Sequence, residues 1–171
     1  MSRLYRYVGA EDIRLSVAAS PVGIPIFSVN DLHNWINQTM QKPNNWGLIP
    51  ATFVIDNEGY LRVADRHSEH IACAGGESVL SAGEIFFTCN QHGFEVAEIT
   101  NQSTGYCPES ESWFQVEKAL EKIPILHPGN FTTEFIFRRC PVCRQLNIVK
   151  DELFLCAVCN ANLPKIWNCD C

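Results

Sequence analysis

The chain has 171 residues, 46% of them hydrophobic, and a formal net charge of -6. That length buries one ordinary core and a small satellite, which excludes a long array of domains. Its apolar runs fall short of the roughly 20 residues of a membrane-spanning helix, and Met1-Ser2-Arg3-Leu4-Tyr5-Arg6 lacks the apolar run of an export signal, so a cytoplasmic protein with no membrane association is expected.

In chain order, Leu4-Tyr5-Arg6-Tyr7-Val8 alternates as a short strand, and residues 10–19 place Ile13, Leu15 and Val17 on one side of a short helix that Pro21 stops. Ser28 and Asp31 form a capping-box pattern, predicting a helix to about Met40 with Leu32, Trp35, Ile36 and Met40 inward. Thr52-Phe53-Val54-Ile55 and Tyr60-Leu61-Arg62-Val63-Ala64 flank Asp56-Asn57-Glu58-Gly59, a tight hairpin turn. Residues 84–88 and 94–99 repeat that arrangement around Asn90-Gln91-His92-Gly93. A polar loop then leads to a helix capped by Ser110 or Ser112, with Trp113, Val116, Leu120 and Ile123 as its apolar stripe. Trp35, Trp46 and Trp113 read as core and Trp167 as docking the tail, while His92 and His127 read as solvated. The expected fold is α+β: antiparallel hairpins with two or three helices in a central domain at 51–135, a segment 1–50 packed on it, and a satellite at 136–171.

The satellite carries the most specific motif. Cys140-Pro141-Val142-Cys143 and Cys156-Ala157-Val158-Cys159 are twelve residues apart. Each pair turns two thiolates toward one centre, and a hairpin between them, 147–150 with 153–155 turning at Asp151-Glu152, closes a tetrahedron around structural Zn2+. Four protein ligands leave the metal no open position, so this ribbon is expected to fold the tail and to dock a partner rather than to catalyse. Of the other cysteines, Cys73, Cys89 and Cys107 read as buried and inert, and Cys169 and Cys171 as exposed terminal thiols. Residues 51–135 hold four basic against thirteen acidic residues, a surface that repels a phosphate backbone. Another protein is therefore the expected partner, and nucleic acid is not.

The other chemistry-bearing stretch runs from Arg66-His67-Ser68-Glu69-His70 through Gly75-Gly76 to Ala82-Gly83-Glu84. His67-Ser68-Glu69 matches the His-x-Glu of zinc deaminases, but here the proline lies inside the cysteine pair and a second pair competes for the metal, which argues against that chemistry. Arg66, His67 and Ser68 offer a phosphate donor, an imidazole and a hydroxyl; Gly75 and Gly76 allow close backbone approach; Glu84 and Tyr106 offer a base and a stacking ring. That set suits a small nucleotide or ADP-ribose-like ligand and group transfer. The architectural alternative has His67 and Ser68 capping a turn and the glycines supplying positive φ.

The ordered motifs His67-Ser68, Ala74-Gly75-Gly76, Ala82-Gly83-Glu84 and Tyr106-Cys107-Pro108 resemble a block of the plant IQ-motif calmodulin-binding proteins and of related bacterial and fungal toxin-like C-terminal modules, over about residues 50–125. The resemblance implies a toxin-like transferase pocket at His67, Ser68, Gly75, Gly76 and Tyr106. Two departures stand out: Gly105 occupies the place of the block's histidine, and Glu69-His70 replaces Ser-Phe. No IQ helix is visible, so calmodulin does not carry over. The expected function is a protein-interaction or regulatory protein with a zinc-ribbon docking module and a degenerate pocket; the alternative is a nucleotide- or NAD-dependent transferase acting through His67 and Ser68.

Overall fold

The computed structural model describes residues 2–171. Its centre is a five-stranded antiparallel sheet in the order β1-β3-β2-β4-β5, from β1 (Ile24–Ile26), β2 (Ile49–Ile55), β3 (Leu61–Asp65), β4 (Ser81–Asn90) and β5 (Gly93–Ile99). Both predicted hairpins form, β2 to β3 through a turn with Gly59 at φ 87° and β4 to β5 through Gly93. β2 joins them, pairing β3 on one side and β4 on the other, and every one of its residues is buried.

The two faces are covered differently. Inward residues of β2, β3 and β4 (Phe53, Ile55, Val63, Ile85, Phe87) pack under two amphipathic helices, α2 (Val29–Gln38) and α4 (Trp113–Lys122), through Leu32, Trp35, Ile36, Val116 and Leu120. The opposite face carries Val54 and Ala82 under the short α3 (His70–Cys73), Tyr5 and Tyr106. The central hairpins are thus roofed on both sides. The edge strand β1 is three residues long and contains Pro25, which blunts it against further pairing.

Ser28 caps α2 by accepting from the Asp31 amide at 3.1 Å, while the Asp31 carboxylate reaches back to the Phe27 amide at 2.9 Å rather than to that of Ser28. The helix ends at Gln38, sooner than expected. Thr39 donates its hydroxyl to the Trp35 carbonyl and Met40 turns left-handed, so Met40 is 78% exposed instead of facing the core. Trp46 is also outside, at 82% exposure, because the Asn44 side chain accepts from the Trp46 and Leu48 amides in a tight turn that swings the ring outward. The first helix, α1 (Glu11–Ser16), buries none of its residues. The expected N-terminal strand reduces to one bridge between Tyr5 and Val79. Ser112 does not cap α4: its hydroxyl pairs with that of Ser81 at 2.8 Å, tying the helix start to β4.

The C-terminal part contains a second sheet, β6 (Ile136–Arg139) with β7 (Leu146–Val149). The ribbon's pairing differs from expectation. β7 pairs β6, while the anticipated hairpin across Asp151 and Glu152 is a single bridge, Lys150 to Leu153. Among the described residues no helix is long and apolar enough to cross a membrane.

Candidate metal centre

The two cysteine knuckles are local copies of one another. In the first, the Cys140 amide donates to the Gln145 carbonyl at 2.8 Å and the Arg144 amide to the Cys140 carbonyl at 3.0 Å; in the second, Cys156 donates to Ala161 at 2.8 Å and Asn160 to Cys156 at 2.9 Å. Both turns close on a left-handed residue, Arg144 at φ 68° and Asn160 at φ 64°. The shared backbone aims all four sulfurs inward: Cys140 to Cys159 and Cys143 to Cys156 are 3.5 Å apart, and every pair lies within 4.8 Å.

That spacing is far longer than the ~2.05 Å of a disulfide. It matches the edge of about 3.8 Å that four sulfurs form around an ion at ~2.3 Å from each. The four cysteines could therefore hold one metal ion.

Around the sulfurs the structure places donors. The Cys143 amide lies 3.5 Å from Cys140 Sγ, the Val158 amide 3.4 Å from Cys156 Sγ, and the Asn147 side-chain amide 3.5 Å from the same Cys156 sulfur. The Cys159 and Val158 amides, with Asn147, pull the Cys156 thiol down to about 6 against the opposing effect of burial. Cys140 is lowered as well, first by the Cys143 amide. Cys143 goes the other way: the Gln145 amide lowers it, but burial and the three neighbouring sulfurs push it up to about 12. Asn147 escapes a motif-based reading. It is buried on β7, and its carbonyl oxygen also accepts from the Ala157 amide at 2.9 Å, so one side chain positions the second knuckle. A polar residue inside the strand between the pairs was the only signal for it.

The ribbon is held to the core along one side. Phe137 and Cys169 are buried with Cys107 in a cluster that Val8, Phe135, Leu146 and Trp167 flank. Trp167 docks as expected, its indole donating to the Cys107 carbonyl at 2.7 Å. Arg138, whose side chain is only 6% exposed, pairs with Glu109 at 2.8 Å and donates to the Phe137, Pro164 and Lys165 carbonyls. Asn168 and Arg139 exchange two bonds, at 2.9 and 2.7 Å. This seam corrects the expectation for the terminal thiols: Cys169 is buried because the tail folds back over Phe137, and only Cys171 is exposed. Cys73 and Cys107 are buried as expected, with burial raising Cys73 to about 12, whereas Cys89 is exposed where β4 runs out to the hairpin tip.

The residues of the central stretch are divided between surface and core. His67 lies on the surface, its amide and ring Nδ1 both on the Asp65 carboxylate at 2.9 and 3.0 Å. The Ser68 carbonyl accepts from Thr52 at 3.1 Å, and Arg66 and Glu84 are exposed. Gly75 and Gly76, at φ 63° and 83°, close α3, with the Gly76 amide reaching the Ile71 carbonyl at 2.9 Å. They also line a cavity of about 260 Å³ with Arg14, Val17, Val22 and Ile71. Tyr106 is fully buried and donates to the Glu77 carbonyl at 2.7 Å; burial pushes its hydroxyl well above its ordinary pKa. Arg62 is committed to Asp56 and the Gly23 carbonyl, each at 2.9 Å. The structure thus leaves His67 outside and Tyr106 inside, rather than facing one another across a pocket.

A second group, Glu117, Glu121 and His127, also brings its ligand atoms within 4.8 Å. Here His127 Nδ1 accepts from the Gly129 amide at 3.1 Å and the ring packs on Trp113, so Nε2 carries the proton and the one lone pair a metal could use is already taken. His127 is correspondingly half-buried rather than solvated. Compared with protein-family models, with curated proteins and with solved structures, the chain matches none of them.

Proposed function

We propose that this is a cytoplasmic protein-interaction or regulatory protein, in which a zinc ribbon clamped to an α+β core presents its knuckle tips to a protein partner. Four thiolates in a tetrahedral, closed set favour zinc over harder cations, and leave the ion a structural role. The observation that carries the reading is the exposure of apolar side chains at matching places on the ribbon: Val142 at 71% and Val158 at 67%, one on each knuckle, with Leu153 at 61%. The inner side of the ribbon packs on the core through Phe137, Cys169 and Trp167, and the knuckle tips are exposed.

The test is an affinity capture comparing the wild-type chain with Val142→Asp/Val158→Asp, at matched zinc content and melting temperature. Partners held by the first and released by the second support the reading; identical captured sets overturn it. The competing transferase reading is checked by thermal shift with NAD, ATP and ADP-ribose. A saturable stabilisation by any of them, abolished in His67→Ala, favours the transferase over the docking protein.

A further inference from the structure

We propose that Cys107 and Cys169 are a redox-active dithiol, which an oxidant of the glutathione disulfide type converts to a disulfide that fastens the ribbon covalently to the core. Among the described residues, these are the two cysteines outside the knuckles that the fold brings together. Both are buried beside Phe137, and a hydrogen bond links their side chains. Cys73 is buried elsewhere, in the cluster under α3, and Cys89 is exposed on β4.

The fold holds this pair from both sides. Cys107 sits at φ 50°, in the left-handed region that a residue with a Cβ rarely adopts, immediately before Pro108. Its amide donates to the Ser103 carbonyl at 2.7 Å, its sulfur lies 3.4 Å from the Thr104 carbonyl, and its own carbonyl takes the Trp167 indole at 2.7 Å. The indole bond sets residue 107 against the segment that leads into Cys169. On the other side, the Cys169 carbonyl accepts from the Arg139 guanidinium at 3.4 Å, and the Asn168 side chain bonds the Arg139 backbone in both directions.

The pair is also polarised, as thiol–disulfide exchange requires. The bond to Cys107 lowers the Cys169 thiol against the opposing effect of burial, and the Arg139 and Arg138 charges lower it further; Cys107 is raised, first by the same bond and then by burial. Cys169 is therefore the nucleophile of the two. Its sulfur is buried out of reach of glutathione disulfide, whereas Cys171, two residues on, is exposed and supplies the entry. The Cys171 thiolate attacks one sulfur of glutathione disulfide, whose S–S bond breaks and releases one glutathione thiolate. The Cys169 thiolate then attacks the Cys171 sulfur and expels the second glutathione thiolate. Finally the Cys107 sulfur attacks that of Cys169 and returns Cys171 as a thiolate. Cys107 and Cys169 together lose two electrons, which reduce the glutathione disulfide, and their two protons end on the two glutathione thiolates.

The test equilibrates the full chain, loaded with zinc, in glutathione buffers from fully reduced to fully oxidised, and reads it by peptide mass spectrometry after acid quenching and by thermal unfolding. The oxidised chain should yield one linked peptide pair, Cys107 to Cys169, with the four knuckle cysteines recovered as thiols. It should melt roughly 5–15 °C above the reduced chain, because the bond closes the loop from residue 107 to residue 169. Cys107→Ser should stop at glutathione on Cys171 or at a Cys169–Cys171 link, with no such rise. Cys171→Ser should reach the same Cys107–Cys169 disulfide about tenfold more slowly. Absence of that link from the oxidised wild-type chain, a link to a knuckle cysteine in its place, or an unchanged melting temperature overturns the proposal. A Cys171→Ser chain that oxidises at the wild-type rate overturns the relay through Cys171.

Discussion

Removing the Glu109 carboxylate tests whether the ribbon and the core form one cooperative unit. In Glu109→Ala the Arg138 guanidinium loses its counter-ion while its side chain is 6% exposed. Stripping one partner from a buried pair costs about 3–5 kcal/mol. Here Arg138 keeps three carbonyl acceptors and Glu109 was itself 21% exposed, so the expected cost is about 2–3 kcal/mol. For a chain of 171 residues each kcal/mol moves the melting temperature by roughly 2–4 °C, giving a fall of about 4–12 °C. The assay is thermal and urea unfolding with zinc in excess, followed by circular dichroism and by tryptophan fluorescence, since Trp167 lies on the seam and Trp35 in the core. Both probes should report one transition. Glu111→Ala, an exposed neighbour, is the control and should change nothing. A Glu109→Ala protein that melts with the wild type, or in which the two probes separate already in the wild type, refutes the clamp.

Metal analysis should find one divalent ion per chain; a thiol reagent should react at once with the exposed Cys89 and Cys171, and with the four knuckle cysteines only after chelation. Two glycines should respond for different reasons. Gly83→Ala places a Cβ 1.9 Å from the Thr100 carbonyl oxygen and should prevent folding, whereas Gly76→Ala meets open space at φ 83° and should cost only about 1 kcal/mol of strain, measured by urea unfolding. Stability should decline as the pH falls below about 6.5, because His70 has a lowered pKa in the folded chain and the unfolded chain therefore takes up its proton first. Replacing His70 with Phe should flatten that part of the pH–stability curve, and an unchanged slope would show that His70 does not titrate as described.

Much of the framework is legible from local rules. The hairpins around Gly59 and Gly93, the Ser28 cap and the α4 stripe follow from alternation, turn chemistry and helical spacing, all of which act over a few residues. The misplaced residues share a cause. Met40 and Trp46 suit the interior by hydrophobicity alone, but the Thr39 and Asn44 hydrogen bonds turn them out into solvent. The central stretch invited a ligand site because its residue types are reactive. Whether His67 and Tyr106 share a pocket depends on which side of the sheet each faces, and no spacing rule encodes that.

By itself the sequence determined the four-cysteine cluster that could hold a metal ion, since two Cys-x-x-Cys turns of fixed local geometry need only a short closing segment to converge. It also determined the α+β class, through the change from helical to alternating periodicity near Ala51. Only the tertiary structure decided that the ribbon is fastened to the core through Arg138, Glu109 and Trp167, that Cys169 is buried, and that His70 rather than His67 faces a cavity. Those outcomes rest on contacts between residues such as Glu109 and Arg138 or Cys107 and Trp167, 29 and 60 positions apart. Pairings of that kind are set by how whole elements pack, and a local pattern carries no record of them.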